Sequence, residues 1–338
     1  MNREDVKRCL KQTISNMTLE EFSKLFINEV TAIEDFFKLC NGIKAGNTIS
    51  LLFNPHRLDT ITEQSVKRNS KTISTFQSLS DKGNDQYTEK IDGLARLYLY
   101  NLENGINNPF YSAIQRGYNG TAYVNEFPPS VARQIYQEYA GRMERTILDP
   151  CAGWGGRMIG AASLLNTRYV ACEPCVKTYD GLIKLGNWLK SLQPSFDFEV
   201  HNIPYEDFKT DEKFDIALTS PPYFDTEHYS DSDTDSAHKF PEYYLWVSGF
   251  YEPMIINTIE RLKDGGYFIL NIGDRRYPLT NSLKSICKEN GLRCERLRNY
   301  LKSNDEDGEK FFLLSKGTSG ESGETAYSIF DAETESLW

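Results

Sequence analysis

The chain has 338 residues, with 38 Lys and Arg against 48 Asp and Glu, which gives a formal net charge of −10. Hydrophobic residues make up 39% of the chain and aromatic residues 13%, enough to fill a core and to argue against a disordered chain. No apolar run approaches the roughly 18 residues that span a bilayer, and the first residues lack the apolar stretch of a secretory signal.

Two short segments carry the whole acidic excess. Residues 225–235 and residues 317–338 each contain five acidic side chains and no Lys or Arg. Without them the chain is formally neutral, so its net charge does not exclude a nucleic-acid substrate, although such proteins usually present a basic surface. We expect residues 225–235 to form a lid beside the substrate pocket and residues 317–338, rich in Gly, Ser and Glu, to form a flexible acidic tail.

Residues 1–120 are predicted to form a mainly helical N-terminal region. Thr18 followed by Glu21 matches the capping box that begins a helix. A second helix is predicted from Ile91 to Leu102, after a polar stretch without a clear period. The apolar residues that follow Thr18 at helical spacing are Phe22, Leu25, Phe26, Val30, Ile33 and Phe37.

From Thr146 onward, short apolar runs alternate with helical stretches, a pattern typical of a parallel α/β sheet. A long helix is predicted over residues 242–262, with Gly265 and Gly266 as its C-terminal stop. Residues 293–300 and 311–314 predict a closing hairpin. The apolar runs cover residues 146–148, 169–172, 198–200, 214–218 and 267–272.

A glycine-rich loop follows the first of these runs. Residues 148–157 read Leu-Asp-Pro-Cys-Ala-Gly-Trp-Gly-Gly-Arg. The glycines allow a ligand to approach the backbone closely, and the N-terminus of the next helix adds partial positive charge. Glu173, at the end of the second run, is placed to hold ribose hydroxyls. The alternatives are a tight turn without a ligand and a nicotinamide dinucleotide site, whose G-x-G-x-x-G spacing is not met.

A second motif, Thr-Ser-Pro-Pro-Tyr at residues 219–223, follows the fourth run. Prolines fix φ and donate no hydrogen bond, so Ser220 and the carbonyl of Pro221 are free to accept from a planar amino group. Tyr223 can stack on the ring that carries this amine, a contact worth roughly 1–3 kcal/mol in nucleic-acid sites. The motif therefore predicts a catalytic segment of Ser220, Pro221, Pro222 and Tyr223, with a proline-rich strand cap as the alternative.

Together, the two motifs resemble those of S-adenosylmethionine-dependent DNA amino-methyltransferases, the N4-cytosine/N6-adenine group, over about residues 120–316. The resemblance implies a seven-stranded class I methyltransferase (Rossmann-like) sheet in residues 121–316, S-adenosylmethionine as cofactor, and a flipped base held by Ser220–Tyr223. It implies that Phe127 opens a segment that closes over the cofactor. Asn202 or Asp207 would contact the adenine ring, and the spacing does not choose between them. The cofactor-binding residues implied by the glycine loop and the next strand are Asp149, Cys151, Ala152, Gly153, Gly155 and Glu173.

Several activities remain open on these residues. Direct methyl transfer needs little acid–base help, because the sulfonium is an activated donor. Cytosine-C5 enzymes place a nucleophilic cysteine after the fourth strand, where this chain has Ser220–Tyr223, so C5 chemistry is disfavoured. The serine leans towards cytosine N4, with adenine N6 still open. DNA is the favoured partner; the alternatives are an RNA base amino-methyltransferase, a protein glutamine methyltransferase and a non-catalytic binding module.

Two further features carry a weaker signal. Cys172 and Cys175 have the spacing of half a zinc site, but no second pair follows, so we expect ordinary thiols and no metal. The seven cysteines are scattered, as in a reduced, cytoplasmic protein. Arg275 and Arg276 follow the fifth strand, where either a phosphate contact or a salt bridge is expected. Because DNA amino-methyltransferases usually carry a target-recognition insertion, residues 1–120 are the expected substrate-selection region.

Overall fold

Seven strands form one sheet in the order β3-β2-β1-β4-β5-β7-β6. Neighbouring strands are parallel from β3 to β5, and β7 is antiparallel to both β5 and β6. This strand order confirms the predicted seven-stranded class I methyltransferase sheet. The strands are β1 Arg145–Asp149, β2 Thr167–Cys172, β3 Phe196–His201, β4 Phe214–Thr219, β5 Leu262–Gly273, β6 Leu292–Arg296 and β7 Glu309–Lys316.

The computed structural model describes residues 2–14, 16–58, 87–106, 126–141, 143–226, 234–274, 276–301 and 309–317. Most of the acidic segment 225–235, the tail beyond residue 317, the polar stretch beyond residue 58 and Arg275 therefore lie outside the described residues. No helix in the described part of the chain is both long and apolar enough to cross a membrane.

Helices flank the sheet on both faces. Short 3-10 helices occur at Ile49–Leu52, Pro55–Leu58 and Tyr205–Asp207, and a π-helical turn at Val247–Tyr251. The α-helices are α1 Arg3–Ile14, α2 Leu19–Ser23, α3 Glu29–Cys40, α4 Tyr87–Glu103, α5 Pro129–Tyr139, α6 Gly156–Ala162, α7 Val176–Leu192, α8 Ser236–Lys239, α9 Tyr243–Trp246, α10 Glu252–Glu260 and α11 Leu279–Glu289.

The capping box predicted at Thr18 is confirmed. Its hydroxyl accepts from the backbone N–H of Glu21 at 3.2 Å, and the Glu21 carboxylate accepts from the Thr18 backbone N–H at 2.8 Å. The apolar stripe predicted after it is wrong beyond Phe26, because Val30 and Phe37 are 67% and 47% exposed.

A second helix start explains this difference. The Asn28 side chain accepts from the backbone N–H of Thr31 at 2.9 Å and so begins α3 as a new helix. The turn before Asn28 changes the helical phase, and α3 buries Ala32, Phe36 and Leu39 instead.

The long helix predicted over residues 242–262 is present as α9, the π-helical turn and α10, but its predicted stop is wrong. The helix ends at Glu260, and β5 begins at Leu262. Gly265 and Gly266 lie inside β5, where the pairing with β4 shifts register. Gly265 has a φ of +77°, so it serves a bulge in the strand rather than a helix end.

The N-terminal helices share a hydrophobic core with the sheet. Phe22, Phe36 and Ile49 belong to the same buried cluster as Leu182 of α7 and Ile147 of β1. The ring of Phe36 lies 6.1 Å from that of Trp188 on α7, centroid to centroid. A second cluster fills the other face of the sheet, beneath α9, α10 and α11. The described N-terminal helices therefore pack directly on the sheet domain.

Candidate active site

A cavity of about 550 Å³ opens at the carboxyl ends of the parallel strands. Ligands of open α/β sheets bind at this edge, at the point where the strand order reverses, which here lies between β1 and β4. The volume falls in the range of about 300–1,000 Å³ that small-molecule sites occupy. The predicted site residues that line it are Phe127, Cys151, Ala152, Gly153, Glu173, Ser220, Pro221, Pro222 and Tyr223.

The glycine loop joins β1 to α6 and forms one wall. Gly153 has a φ of +55° and lines the cavity. Gly155, with a φ of +98°, does not line it: a Cβ there would lie 2.5 Å from a methyl carbon of Leu185. Gly155 therefore lets the loop pack against α7, and its contact with the cofactor stays a prediction.

Asp149 also lies outside the cavity lining and is fully buried. One carboxylate oxygen accepts from the Arg157 guanidinium at 2.7 Å and from the Tyr169 hydroxyl at 2.6 Å. The other accepts from the Thr219 hydroxyl at 2.9 Å and the Cys151 backbone N–H at 3.3 Å. Asp149 thus ties together the ends of β1, β2 and β4, and its contact with the cofactor stays a prediction.

Glu173 follows β2 and faces the cavity with a nearly buried carboxyl group. Its two oxygens accept from the backbone N–H groups of Gly153 at 3.1 Å and Cys175 at 2.9 Å. Burial raises the pKa of Glu173 to about 7, against the lowering effect of these hydrogen bonds. Each oxygen retains a lone pair with which to accept from a ligand hydroxyl.

The loop after β3 contributes residues other than the two predicted ones. The Asn202 amide donates to the carbonyls of Glu173 at 2.9 Å and Pro174 at 3.0 Å, and so holds the neighbouring loop. Asp207 is exposed and, like Asn202, does not line the cavity. Pro204, Tyr205 and Glu206 of the same loop do line it. The contact of Asn202 or Asp207 with an adenine ring stays a prediction.

Ser220–Tyr223 follows the end of β4 and also lines the cavity. The hydroxyl groups of Ser220 and Tyr223 lie 3.3 Å apart. The Thr226 hydroxyl donates to the Tyr223 carbonyl at 2.7 Å, which closes a turn behind the motif. The residues predicted to polarise an amine and to stack on its ring are thus neighbours on one surface.

An aromatic cluster holds this turn in place. Phe224 has a φ of +58°, a left-handed conformation that is uncommon for a bulky side chain and marks local strain. Its ring is buried and lies 5.0 Å from Tyr277, 5.8 Å from Tyr243 and 5.9 Å from Trp246, centroid to centroid. Packing of the Phe224 ring offsets the backbone strain and fixes the direction in which Tyr223 leaves the strand.

The N-terminal region supplies cavity residues that the sequence motifs did not reveal. Asn47, Thr48 and Arg57 line the cavity beside Glu126. The side chains of Arg57 and Glu126 are each only 3% exposed and pair at 2.6 Å. Burial raises the pKa of Glu126 to about 7, although Arg57 lowers it. The pairing spans 69 residues of sequence, and only the adjacent Phe127 motif points to this region.

The two weaker sequence features take the following positions. Arg276 lies at the cavity, pairs with Asp225 at 3.3 Å and stacks on the Tyr277 ring at 5.2 Å, so the salt-bridge alternative is realised for it. Cys172 is buried at the end of β2, and Cys175 is half-buried. Within the described ranges, no group of three or more His, Cys, Asp or Glu side chains is placed to hold a metal ion.

No family model and no curated protein matches the chain. Similar solved structures include an rRNA methylase from Streptococcus thermophilus, with 13% identity, a TM-score of 0.39, and coverage of 57% of this chain and 98% of its own. An S-adenosylmethionine-dependent O-methyltransferase from Thermotoga maritima has 13% identity, a TM-score of 0.41, and coverage of 59% and 69%. A TehB-like S-adenosylmethionine-dependent methyltransferase from Corynebacterium glutamicum has 14% identity, a TM-score of 0.36, and coverage of 61% and 96%. Similarities at this level concern the fold alone and add no argument to the strand order.

Proposed function

We propose that this chain transfers a methyl group from S-adenosylmethionine to an exocyclic amino group of a base in DNA, at cytosine N4 or adenine N6. One observation carries the proposal. The glycine loop with Glu173 and the segment Ser220–Tyr223 line one and the same cavity of about 550 Å³. A donor and an acceptor of a methyl group bound at these two segments would meet in that cavity.

The glycine-loop side fits the cofactor. Gly153 leaves the backbone open to a ligand, and Glu173 presents two carboxylate oxygens at the end of β2. When bound, S-adenosylmethionine supplies a methyl group on a positively charged sulfur, which needs no further activation towards an amine. The residues proposed to hold it are Phe127, Cys151, Ala152, Gly153 and Glu173, with Asp149 and Asn202 holding their loops.

The Ser220 side fits a planar amine. The Ser220 hydroxyl and the Pro221 carbonyl accept from its two N–H bonds, which keeps the nitrogen lone pair directed across the cavity. Tyr223 stacks on the base ring. Its hydroxyl contact with Ser220 is given up when the base binds. With S-adenosylmethionine bound, the amine nitrogen would bond to the methyl carbon as the carbon–sulfur bond breaks, which leaves neutral S-adenosylhomocysteine. The methylated amine would then lose one proton to solvent, with Ser220 as its hydrogen-bond acceptor.

The choice of DNA rests on the resemblance of the two motifs to DNA amino-methyltransferases, and the local charge does not exclude a nucleic acid. The chain is neutral outside two acidic segments, and Arg276 at the cavity pairs with Asp225 of one of them. This ion pair removes part of the repulsion that a phosphate backbone would meet beside Tyr223. A base in a duplex would have to leave the stack to enter the cavity, as for other enzymes that modify bases.

Incubation with methyl-labelled S-adenosylmethionine and DNA, RNA or protein, followed by nucleoside and amino-acid analysis, tests the proposal. We expect label in N4-methylcytosine or N6-methyladenine of DNA. Label confined to RNA or to protein would overturn the substrate assignment, and no transfer to any of the three would favour a non-catalytic binding module.

Tyr223→Ala tests the substrate role of Ser220–Tyr223 separately from cofactor binding at the glycine loop. Loss of stacking should lower turnover on DNA by roughly tenfold or more, while the affinity for S-adenosylhomocysteine stays within about twofold of wild type. Tyr244→Ala is the matched control, because Tyr244 is 64% exposed and does not line the cavity. Equal losses of turnover and cofactor affinity in Tyr223→Ala would contradict the stacking role.

A further inference from the structure

A buried polar cluster joins the N-terminal region to the segment before α5. One oxygen of the Glu126 carboxylate, Oε2, accepts from the Ser50 hydroxyl at 2.6 Å and from the Arg57 guanidinium at 2.6 Å. Arg57 also donates to the Ser50 hydroxyl at 3.1 Å. The cluster therefore fixes both the position and the orientation of a buried carboxylate.

The second oxygen of this carboxylate, Oε1, is buried and has no hydrogen-bond donor among the residues that the structure describes. A buried acceptor without a donor is costly, and more so when it carries charge. Burial raises the pKa of Glu126 to about 7, which reflects the same lack of solvation. A donor that arrives with a ligand, above all a cationic one, would satisfy this oxygen and stabilise the ionised form.

The position of Glu126 identifies the part of the ligand that it meets. Glu126 lines the cavity together with Gly153 and Gly156 of the glycine loop. A Cβ at Gly156 would lie 3.0 Å from the unpaired oxygen of Glu126 and 2.1 Å from the Phe127 carbonyl oxygen. The carboxylate thus lies at the start of α6, next to the glycine loop.

We propose that Glu126 accepts a hydrogen bond from the α-ammonium group at the amino-acid end of the cofactor, with Ser50 and Arg57 as positioning residues. This inference rests on the cofactor of the proposed function. With Glu173 on the ribose hydroxyls, Glu126 would hold the methionine end of the same molecule. The N-terminal region then completes the cofactor site through Arg57 and Ser50, in addition to any part in substrate selection.

Two ligands that differ only at this group test the inference by calorimetry. The first is S-adenosylhomocysteine, and the second is its deamino analogue, in which hydrogen replaces the α-ammonium group. Wild type should bind S-adenosylhomocysteine at least about tenfold more tightly than the analogue. In Glu126→Gln this preference should fall to about threefold or less, with the affinity for the analogue nearly unchanged.

Glu260→Gln is the matched control, because Glu260 is exposed at the end of α10, and it should keep the full preference. Ser50→Ala should lower the same preference, and a uniform loss for both ligands would contradict the positioning role of Ser50. Unchanged binding of the analogue shows that a variant retains the cavity.

The outcomes separate this inference from the proposed function. If wild type binds both ligands with equal affinity, the role of Glu126 alone is overturned, and this result needs no variant. A full preference retained by Glu126→Gln would do the same. No binding of either ligand would overturn the cofactor of the proposed function, and this inference with it.

Discussion

Single carboxyl groups have different roles at this site according to their surroundings. Asp149 is fully buried but meets four donors from Cys151, Arg157, Tyr169 and Thr219, so its charge is compensated within the protein. Glu173 is about equally buried but accepts only two backbone N–H bonds. Glu173 lines the cavity, and its carboxylate oxygens can each accept a further hydrogen bond from a ligand hydroxyl.

The raised pKa of Glu173 makes the stability of the ligand-free protein depend on pH. The folded carboxyl titrates at about 7, whereas in the unfolded chain it titrates near 4.5. The stability that this group contributes is therefore fully present below about pH 4.5 and is lost as pH rises towards 7. The size of the loss is up to about 3 kcal/mol, from the difference between the two pKa values.

Glu173→Gln removes this dependence. Between pH 4.5 and 7, the free energy of unfolding should fall less for the variant than for wild type, and the gap should stay constant above pH 7. Urea unfolding at a series of pH values measures it, with Glu260→Gln as the exposed control. Glu126 titrates in the same range, so the variant keeps part of the slope. Identical slopes in wild type and Glu173→Gln would contradict the raised pKa.

At the scale of elements, the central strands are predictable because each is a buried run between polar segments. β1, β2 and β4 are buried at nearly every position, so an apolar run alone identifies them. The apolar stripe of the N-terminal helices fails as a guide. Val30 and Phe37 are apolar but exposed, and only tertiary packing decides which face of α3 is buried.

In the candidate site, too, some features are predictable from the sequence and others are not. The glycine loop and Ser220–Tyr223 are contiguous motifs, so their joint position at one sheet edge follows from the parallel topology. Arg57 and Ser50 meet Glu126 across 69 and 76 residues of sequence. No local pattern encodes such a contact, nor the hydrogen bonds by which Asp149 and Asn202 hold neighbouring segments.

Gly155 tests how tightly the glycine loop is packed on α7. Gly155→Ala must place a Cβ 2.5 Å from a Leu185 methyl carbon, at a φ of +98°. Gly265→Ala is the matched control, because Gly265 also has a positive φ, +77°, but a Cβ there would meet no atom within 4 Å. In both variants, left-handed strain should lower the free energy of unfolding by roughly 1–2 kcal/mol. In Gly155→Ala, overpacking should lower it by about 1–3 kcal/mol more.

Denaturant unfolding of the two variants gives the comparison. A free energy of unfolding that is equal in Gly155→Ala and Gly265→Ala would mean that Leu185 moves aside at no cost. The loop would then be less constrained than its contacts indicate.

At the scale of the whole molecule, the described N-terminal residues share a core with the sheet and line part of the cavity. Residues 47–58 lie against α7 and reach the cavity through Asn47, Thr48 and Arg57. The Asn54 amide donates to the Trp154 carbonyl of the glycine loop at 3.2 Å, and Asn54 also packs on Gly181 of α7. A substitution on α7 that displaces Asn54 should therefore alter ligand binding in the cavity.

Gly181→Ala makes such a change at a distance from the ligand. A Cβ at Gly181 would lie 1.9 Å from the Asn54 side-chain oxygen and 2.7 Å from the Phe53 carbonyl oxygen, so the segment that carries Arg57 must move. The affinity for S-adenosylhomocysteine should fall by roughly tenfold, although Gly181 itself does not line the cavity. Gly93→Ala on α4 is the control, because a Cβ there meets nothing within 4 Å and alanine favours a helix by up to about 1 kcal/mol. If Gly181→Ala is folded by circular dichroism and binds S-adenosylhomocysteine as wild type does, the packing of residues 53–54 on α7 does not affect cofactor binding.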